Sequence, residues 1–397
     1  APLGFNLVND ISFTVSYEKE NQKIEMSKYI LISGFNIHDN NRGTAALSYG
    51  SLFFLQEKSF LKKGQQLINY RYYKNPFKSH NRKNSEEYFQ LGGDKYLHTV
   101  FNVLFVEKWL FDKLGIILPF TNFGQTIKQV ELVAAINGGD GFSDIYDTQT
   151  FISRLFDIDL AIRLKLPLIL LPQTIGPFES KNNSLIAERI LRYASKIYIR
   201  DDKYIANLKD MGLSYEMTKD LSYYMQPQRW DIDVIDDSIG INISGLSYSN
   251  KFRTLSNQFE YYPLLIERLI FFFQEKGKHI YLIPHSYNYV EPELNNDDMV
   301  ACREVYNNLK NKANVILIDK DLIAPQVKYI ISRMSFFIGT RMHANFAAIY
   351  TGVPLFGLAY SYKFQGAFEA NGIYGHIALI NNITAFDINN KFNLSKI

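Results

Sequence analysis

The sequence predicts an α/β protein built of two Rossmann-like domains in tandem, and three observations carry that prediction. Its 397 residues, at roughly 150 per domain, are enough for two full cores. From residue 29 onward a short β run, a turn rich in Gly, Asn or Asp, and a helical stretch recur in that order. The β runs are apolar throughout rather than alternating, which is how strands covered on both faces of a parallel sheet read.

Residues 1–25 show neither a phosphate-binding loop nor a helical period and read as an N-terminal extension, with a short edge strand at 11–17. The first domain is expected over 26–226. Its strands are predicted at 29–32, 66–70, 130–136, 168–171 and 196–199, with helices between them that include 45–57, 103–114 and 184–194. Residues 225–237, interrupted by Pro227 and acidic from Asp231 to Asp237, read as a linker. The alternation restarts in a second domain, 227–397, with strands at 238–243, 278–283, 314–318, 335–338 and 354–358 and helices at 261–276, 297–309, 325–332 and 344–350. Two such domains predict a cleft between them, and open parallel sheets bind ligands beyond the carboxyl ends of their strands.

Composition removes several classes. Hydrophobic residues make up 47% and charged residues 21% of the chain, and no low-complexity tract interrupts it, which excludes disorder. A lone cysteine, Cys302, forms neither an internal disulfide nor a thiolate metal site, so a reducing compartment and no metal are expected. The longest apolar runs, 166–172 and 114–120, fall far short of the roughly 20 residues of a membrane span. Residues 1–25 mix Asp, Glu and Lys through their apolar positions, unlike a secretory signal. The expected location is the cytoplasm.

The strand ends hold the candidate chemistry. After the first strand comes Asn41-Arg42-Gly43-Thr44, a tight turn into a helix whose N-terminus offers free N–H groups to an anion; Asn41 is a candidate contact. After the third comes Asn137-Gly138-Gly139-Asp140-Gly141-Phe142, where Gly139 lets backbone approach a ligand and Asp140 can accept a proton or hold sugar hydroxyls. The fourth ends in Pro172-Gln173-Thr174, which brings the uncharged amide of Gln173 to the cleft. The fifth delivers Arg200, a cation whose burial requires an anionic partner, while Asp201 or Asp202 reads as a helix cap.

In the second half His285 follows a strand, and Gly339-Thr340-Arg341-Met342-His343-Ala344 opens a helix. Thr340 is expected as its N-cap, with Arg341 and His343 in the first turn. A cation there opposes the helix dipole unless an anion is bound, so Arg341 points to an anionic ligand. Lys363, after Ala359-Tyr360-Ser361-Tyr362, is a further cation.

Taken together and in this order, these pieces resemble the polysaccharide pyruvyl transferase family over about residues 29–373. Gln173-Thr174-Ile175-Gly176-Pro177-Phe178 is similar to its Gln-Ser-Ile-Gly-Pro-Phe signature, with Thr for Ser. Arg200-Asp201 with Leu208 and Gly212 resembles its Arg-Asp segment, with Tyr204 where Ser is common. Gly339 to Ala344 resembles its Gly-x-Arg-Leu-His-Ala motif, followed by Gly352-Val353-Pro354, Tyr360 and Lys363. The glycine loop at 137–142 fits as well. One departure is Thr44, where the family often has Asp.

The resemblance implies a GT-B-like fold with the active site in the interdomain cleft, the acceptor on the N-terminal side and the donor on the C-terminal side. It also implies transfer of a pyruvyl group from phosphoenolpyruvate to two hydroxyls of a sugar, forming a cyclic ketal in a cell-surface polysaccharide (capsule or exopolysaccharide) or its lipid-linked precursor. That chemistry needs clustered cations for the carboxylate and phosphate of the donor and a general acid for the enol carbon. Arg200, Arg341, Lys363, Thr340 and His343 are the expected donor contacts, with His343 the acid and Arg341 and Asp140 beside it in the catalytic group. Asn41, Gly139, Asp140, Gln173 and His285 are the expected acceptor contacts. No cofactor is implied, phosphoenolpyruvate being a co-substrate. Two other readings stand beside this one: a GT-B glycosyltransferase using a nucleotide sugar, and a non-catalytic saccharide-binding protein.

The formal net charge of +3 hides a local excess. Residues 58–83 contain eight Lys or Arg and no Asp or Glu, interleaved with Phe60, Tyr70, Tyr72, Tyr73 and Phe77. This stretch is a candidate surface for peripheral contact with an anionic membrane or a lipid diphosphate; no recognition module for nucleic acid accompanies it.

Overall fold

The computed structural model describes residues 28–75, 84–91, 93–145, 147–291, 293–360 and 363–390. The extension at 1–25, its edge strand at 11–17 and part of the basic stretch lie outside these residues. The chain divides into two compact units, one of residues 1–33, 56–134 and 156–168 and the other of 34–55, 135–155 and 169–397.

In the first unit, β1 (Tyr29–Ser33), β2 (Gln66–Tyr73), β3 (Ser85–Leu91), β4 (Asp94–Leu104) and β5 (Val130–Ala135) follow the spatial order β3-β4-β2-β1-β5. β2 runs parallel to both β1 and β4, whereas β3 and β4 form an antiparallel hairpin. The parallel pairing of β4 with β2 corrects the predicted helix at 103–114: Val103 and Leu104 complete β4, opposite Tyr72 and Tyr73, and the helix is Phe105–Leu114.

The second unit contains β6 (Leu168–Gln173), β7 (Lys196–Ile199) and β8 (Glu216–Met217), in that order. It also contains a six-stranded sheet of β9 (Ile239–Asn242), β10 (Ile280–Leu282), β11 (Val315–Leu317), β12 (Phe336–Gly339), β13 (Leu355–Ala359) and β14 (Ile377–Leu379), ordered β11-β10-β9-β12-β13-β14 and parallel at every pairing. The all-apolar strands do what the pattern requires. Ile239, Ile241, Ile280 and Leu282 pack into one core with helix Tyr262–Glu275. Tyr281, Ile283 and Phe337 pack into another with helices Ala324–Ser332 and Met342–Thr351. Full burial of one such side chain is worth roughly 1.5–3 kcal/mol, so both faces contribute. Among the described residues, no helix is long and apolar enough to cross a membrane.

Candidate active site

Every candidate residue belongs to the second unit, because loops 34–55 and 135–155 are part of it. The site grows from the carboxyl ends of β9, β10 and β12. Asp298, in the first turn of helix Asp298–Asn308, is fully buried and ties those ends together. It accepts from the backbone N–H of Gly245 (2.8 Å) and of His285 (3.1 Å), and from the Asn242 amide (3.3 Å). It also takes the guanidinium of Arg341, through Nε at 3.0 Å and Nη2 at 2.6 Å. Arg341 Nη2 further donates to the Asn296 carbonyl (2.8 Å), and its backbone N–H to Asn242 Oδ1 (2.8 Å).

The anion that balances Arg341 is therefore supplied by the chain. Thr340 does not cap the following helix: Arg341 holds the N-cap position, and the Thr340 hydroxyl pairs with that of Tyr262 at 2.7 Å. A buried tyrosine hydroxyl needs a partner, and this one outcompetes the helix end.

Arg200 repeats the arrangement. Its Nη1 donates to Asp220 at 2.6 Å, its Nε to Thr174 Oγ1 at 3.0 Å, and Thr174 in turn donates to Asp201. Asp220 caps helix Leu221–Tyr224 by accepting from the Ser222 N–H and hydroxyl. Burial pushes its carboxyl up, yet Arg200 and then His343 hold it below the usual range. Gly139, at φ +85°, lies so close to Arg200 that a Cβ there would sit 2.7 Å from Nη1. Asp140 belongs to the same electrostatic neighbourhood as Arg200 and His343.

His343, in the first turn of helix Met342–Thr351, places Nε2 4.0 Å from Asp220 Oδ1. That Nε2 is buried and has no hydrogen-bond partner. Burial lowers the imidazole below its ordinary pKa; Asp220 pulls it back up and Arg200 pushes it further down. Gly43 makes room for the ring, since a Cβ at Gly43 would stand 2.7 Å from Nδ1. His285 is buried too, with Nδ1 unpartnered and its pKa well below ordinary through burial and the nearby charges of His343, Arg341 and Arg42. Asn137 Nδ2 is a third buried atom without a partner. Buried polar groups are nearly always satisfied, so these atoms are available to a ligand's polar groups.

The remaining expected residues have local duties as well. Gln173 is wholly buried and its amide donates to the Ala135 carbonyl (3.1 Å) while accepting from the Asn137 N–H (3.2 Å), which holds the glycine loop in place. Asn41 Oδ1 accepts from the Gly43 N–H at 2.9 Å, and Asn41 bridges Ser286. The Lys363 side chain lies outside the described residues.

Sequence reasoning missed Asp220 and Asp298 and underrated Arg42. Arg42 is buried, donates to the Leu322 carbonyl at 2.6 Å and to Asp321, and stacks 4.7 Å over Tyr287. Lys328 was missed as well. Its buried ammonium donates to the carbonyls of Ser222 (2.8 Å), Tyr223 (3.4 Å) and Met225 (2.6 Å), and burial pushes its pKa down to about 7 against the pull of Asp220.

The fold defines the class first: this is a two-domain α/β protein of the GT-B type. A UDP-GlcNAc 2-epimerase from Methanocaldococcus jannaschii matches it over 90% of this chain and 89% of its own, with a TM-score of 0.50 and 10% identity. The UDP-GlcNAc 2-epimerase from Neisseria meningitidis, solved with UDP-GlcNAc, covers 93% and 91% with a TM-score of 0.48 and 10% identity. At such identity the likeness is one of fold. No curated protein matches the chain in sequence. The chain belongs to the polysaccharide pyruvyl transferase family, whose model matches residues 13–362, and it is thereby a transferase of polysaccharide biosynthesis.

Proposed function

We propose that the chain transfers the pyruvyl group of phosphoenolpyruvate to two hydroxyls of a sugar acceptor, forming a cyclic ketal, with His343 as the general acid. The observation that carries this reading is the buried, unpartnered Nε2 of His343, held 4.0 Å from Asp220 and beside Arg200.

The ligand-free imidazole is kept neutral by burial. An anionic donor adds negative charge to the site and raises its pKa, so the ring takes up a proton as the donor binds. The imidazolium then protonates the enol carbon. One sugar hydroxyl attacks the oxocarbenium-like centre, its proton leaving with the phosphate as the carbon–oxygen bond to that phosphate breaks, and the second hydroxyl closes the ring, its proton restoring the one His343 gave up. Because Arg200 and Arg341 already share their charge with Asp220 and Asp298, they act as fixed hydrogen-bond donors whose geometry is set before the ligand arrives. Asp140 and His285 hold the acceptor.

The test is turnover of labelled phosphoenolpyruvate against a panel of glycosides and lipid-linked sugars. Ketal product that disappears in His343→Ala supports the reading. Stabilisation by a nucleotide diphosphate and not by phosphoenolpyruvate would instead identify a glycosyltransferase, and wild-type turnover in His343→Ala would remove the acid.

A further inference from the structure

We propose that helix Phe105–Leu114 of the first unit is a docking element for an anionic lipid bilayer, a role independent of the reaction proposed above. Its amphipathicity is inverted. Phe105, Val106 and Trp109 are 42%, 52% and 48% exposed, while Glu107 is only 7% exposed. At 3.6 residues per turn, Phe105 and Trp109 share one face and Val106 borders it. Phe111, on the other side of the helix, is buried against Phe123 and Phe156. The apolar display continues past the helix, where Leu114, Ile116 and Phe120 are also exposed. A helix that only had to cover a sheet would turn its glutamate out and its tryptophan in. A cluster of exposed apolar side chains of this kind marks an interaction face.

The charges select the partner. Lys74 Nζ stands 5.4 Å over the Phe105 ring. Lys113, one turn beyond Trp109, is exposed. Lys108 lies over the Tyr72 and Phe156 rings at 4.9 and 4.6 Å. Of the helix's own acids, Glu107 is buried, and Asp112, though exposed, is paired with Lys113 at 3.6 Å and Arg163 at 3.9 Å. Phe and Trp flanked by lysines on an exposed helix is the composition of an element lying in the plane of a membrane, its rings at the acyl boundary and its ammonium groups among phosphates. Lys74 also belongs to the acid-free basic stretch 58–83, which adds long-range attraction to the same lipid charge.

The chain contains two tryptophans, Trp109 and Trp230, so Trp230→Phe leaves Trp109 as the only indole. With the full chain and vesicles of phosphatidylcholine mixed with phosphatidylglycerol, its emission should shift to the blue and be quenched by brominated acyl chains, and salt should weaken both effects. Phosphatidylcholine alone should give neither. The double variant Phe105→Ser/Trp109→Ser should lose co-sedimentation with the anionic vesicles by about tenfold or more while keeping turnover on a water-soluble acceptor. Three outcomes overturn the proposal: no emission shift with anionic vesicles, a shift that grows with protein concentration in the absence of lipid, or wild-type sedimentation of the double variant. If the double variant does not fold, the emission of Trp230→Phe decides alone.

Discussion

Arg341 and Asp298 form a buried ion pair, Nη2 to Oδ1 at 2.6 Å, in which the carboxylate also accepts from the backbone at Gly245 and His285. Removing one charge from such a pair leaves the other uncompensated, which costs roughly 3–5 kcal/mol. Asp298→Asn should lower the unfolding free energy by about that amount in urea melts. A change below about 1 kcal/mol would mean that the pair behaves like a surface one.

His343→Ala should reduce pyruvyl transfer by about 10²- to 10⁴-fold, the usual contribution of a general acid, with an unchanged melting temperature. Burial of the imidazole provides a second readout. Burial lowers the His343 pKa in the free chain, so the ring is neutral near neutral pH, and an anionic donor raises it. Binding of phosphoenolpyruvate should therefore take up protons. Calorimetry in buffers of different ionisation enthalpy measures this directly; the uptake should vanish in His343→Gln, and proton release would contradict the assignment.

Gly43→Ala tests the packing of the imidazole. The added Cβ would stand 2.7 Å from His343 Nδ1, closer than side chains tolerate, so the ring must move. Because misplacement of a catalytic group by about an ångström costs on the order of a hundredfold, activity should fall steeply while the circular dichroism spectrum stays the same. Wild-type activity would show that the ring has room the structure denies it.

Lys328→Met should destabilise the second unit, because the Ser222, Tyr223 and Met225 carbonyls lose their shared donor; each buried acceptor left unsatisfied costs about 1–3 kcal/mol. The sign of its pH dependence follows from linkage. The folded-state pKa is pushed down to about 7 from the ordinary 10.5, so between those values the unfolded chain binds more protons. The contribution of this group to stability therefore rises with pH across that window. Urea melts of wild type and variant at successive pH values should show the gap between them widening from pH 7 upward; a constant gap would place the pKa elsewhere.

Much of this architecture was legible because burial on both faces leaves a strong mark. The run predicted at 130–136 is β5, that at 168–171 lies within β6, and the second-domain strands fall on β9 to β13. The β3–β4 hairpin went unseen because β3 is largely exposed and carries Ser85, Glu86 and Glu87 at its start. Around the site, the arginines and histidines stood out, but the carboxylates beside them did not. Asp220 has the look of a simple cap, and Asp298 stands next to Asp297, which does cap its helix by accepting from the Met299 and Val300 N–H groups. Only one of two adjacent aspartates can fill the cap position, and that was the available signal that the other turns inward.

Arg42 gives the structure a timetable. Its guanidinium finds Leu322 and Asp321 about 280 positions later in the chain, so while the polypeptide emerges from the ribosome this loop lacks both of those partners and has only the local Asp39 carbonyl. The glycine turn beside His343 is thus among the first parts of the site to be synthesised and among the last to be locked. Long-range closure of this kind is slow, and a chain that stalls before residue 321 should be recognisable to a protease by cleavage near Arg42.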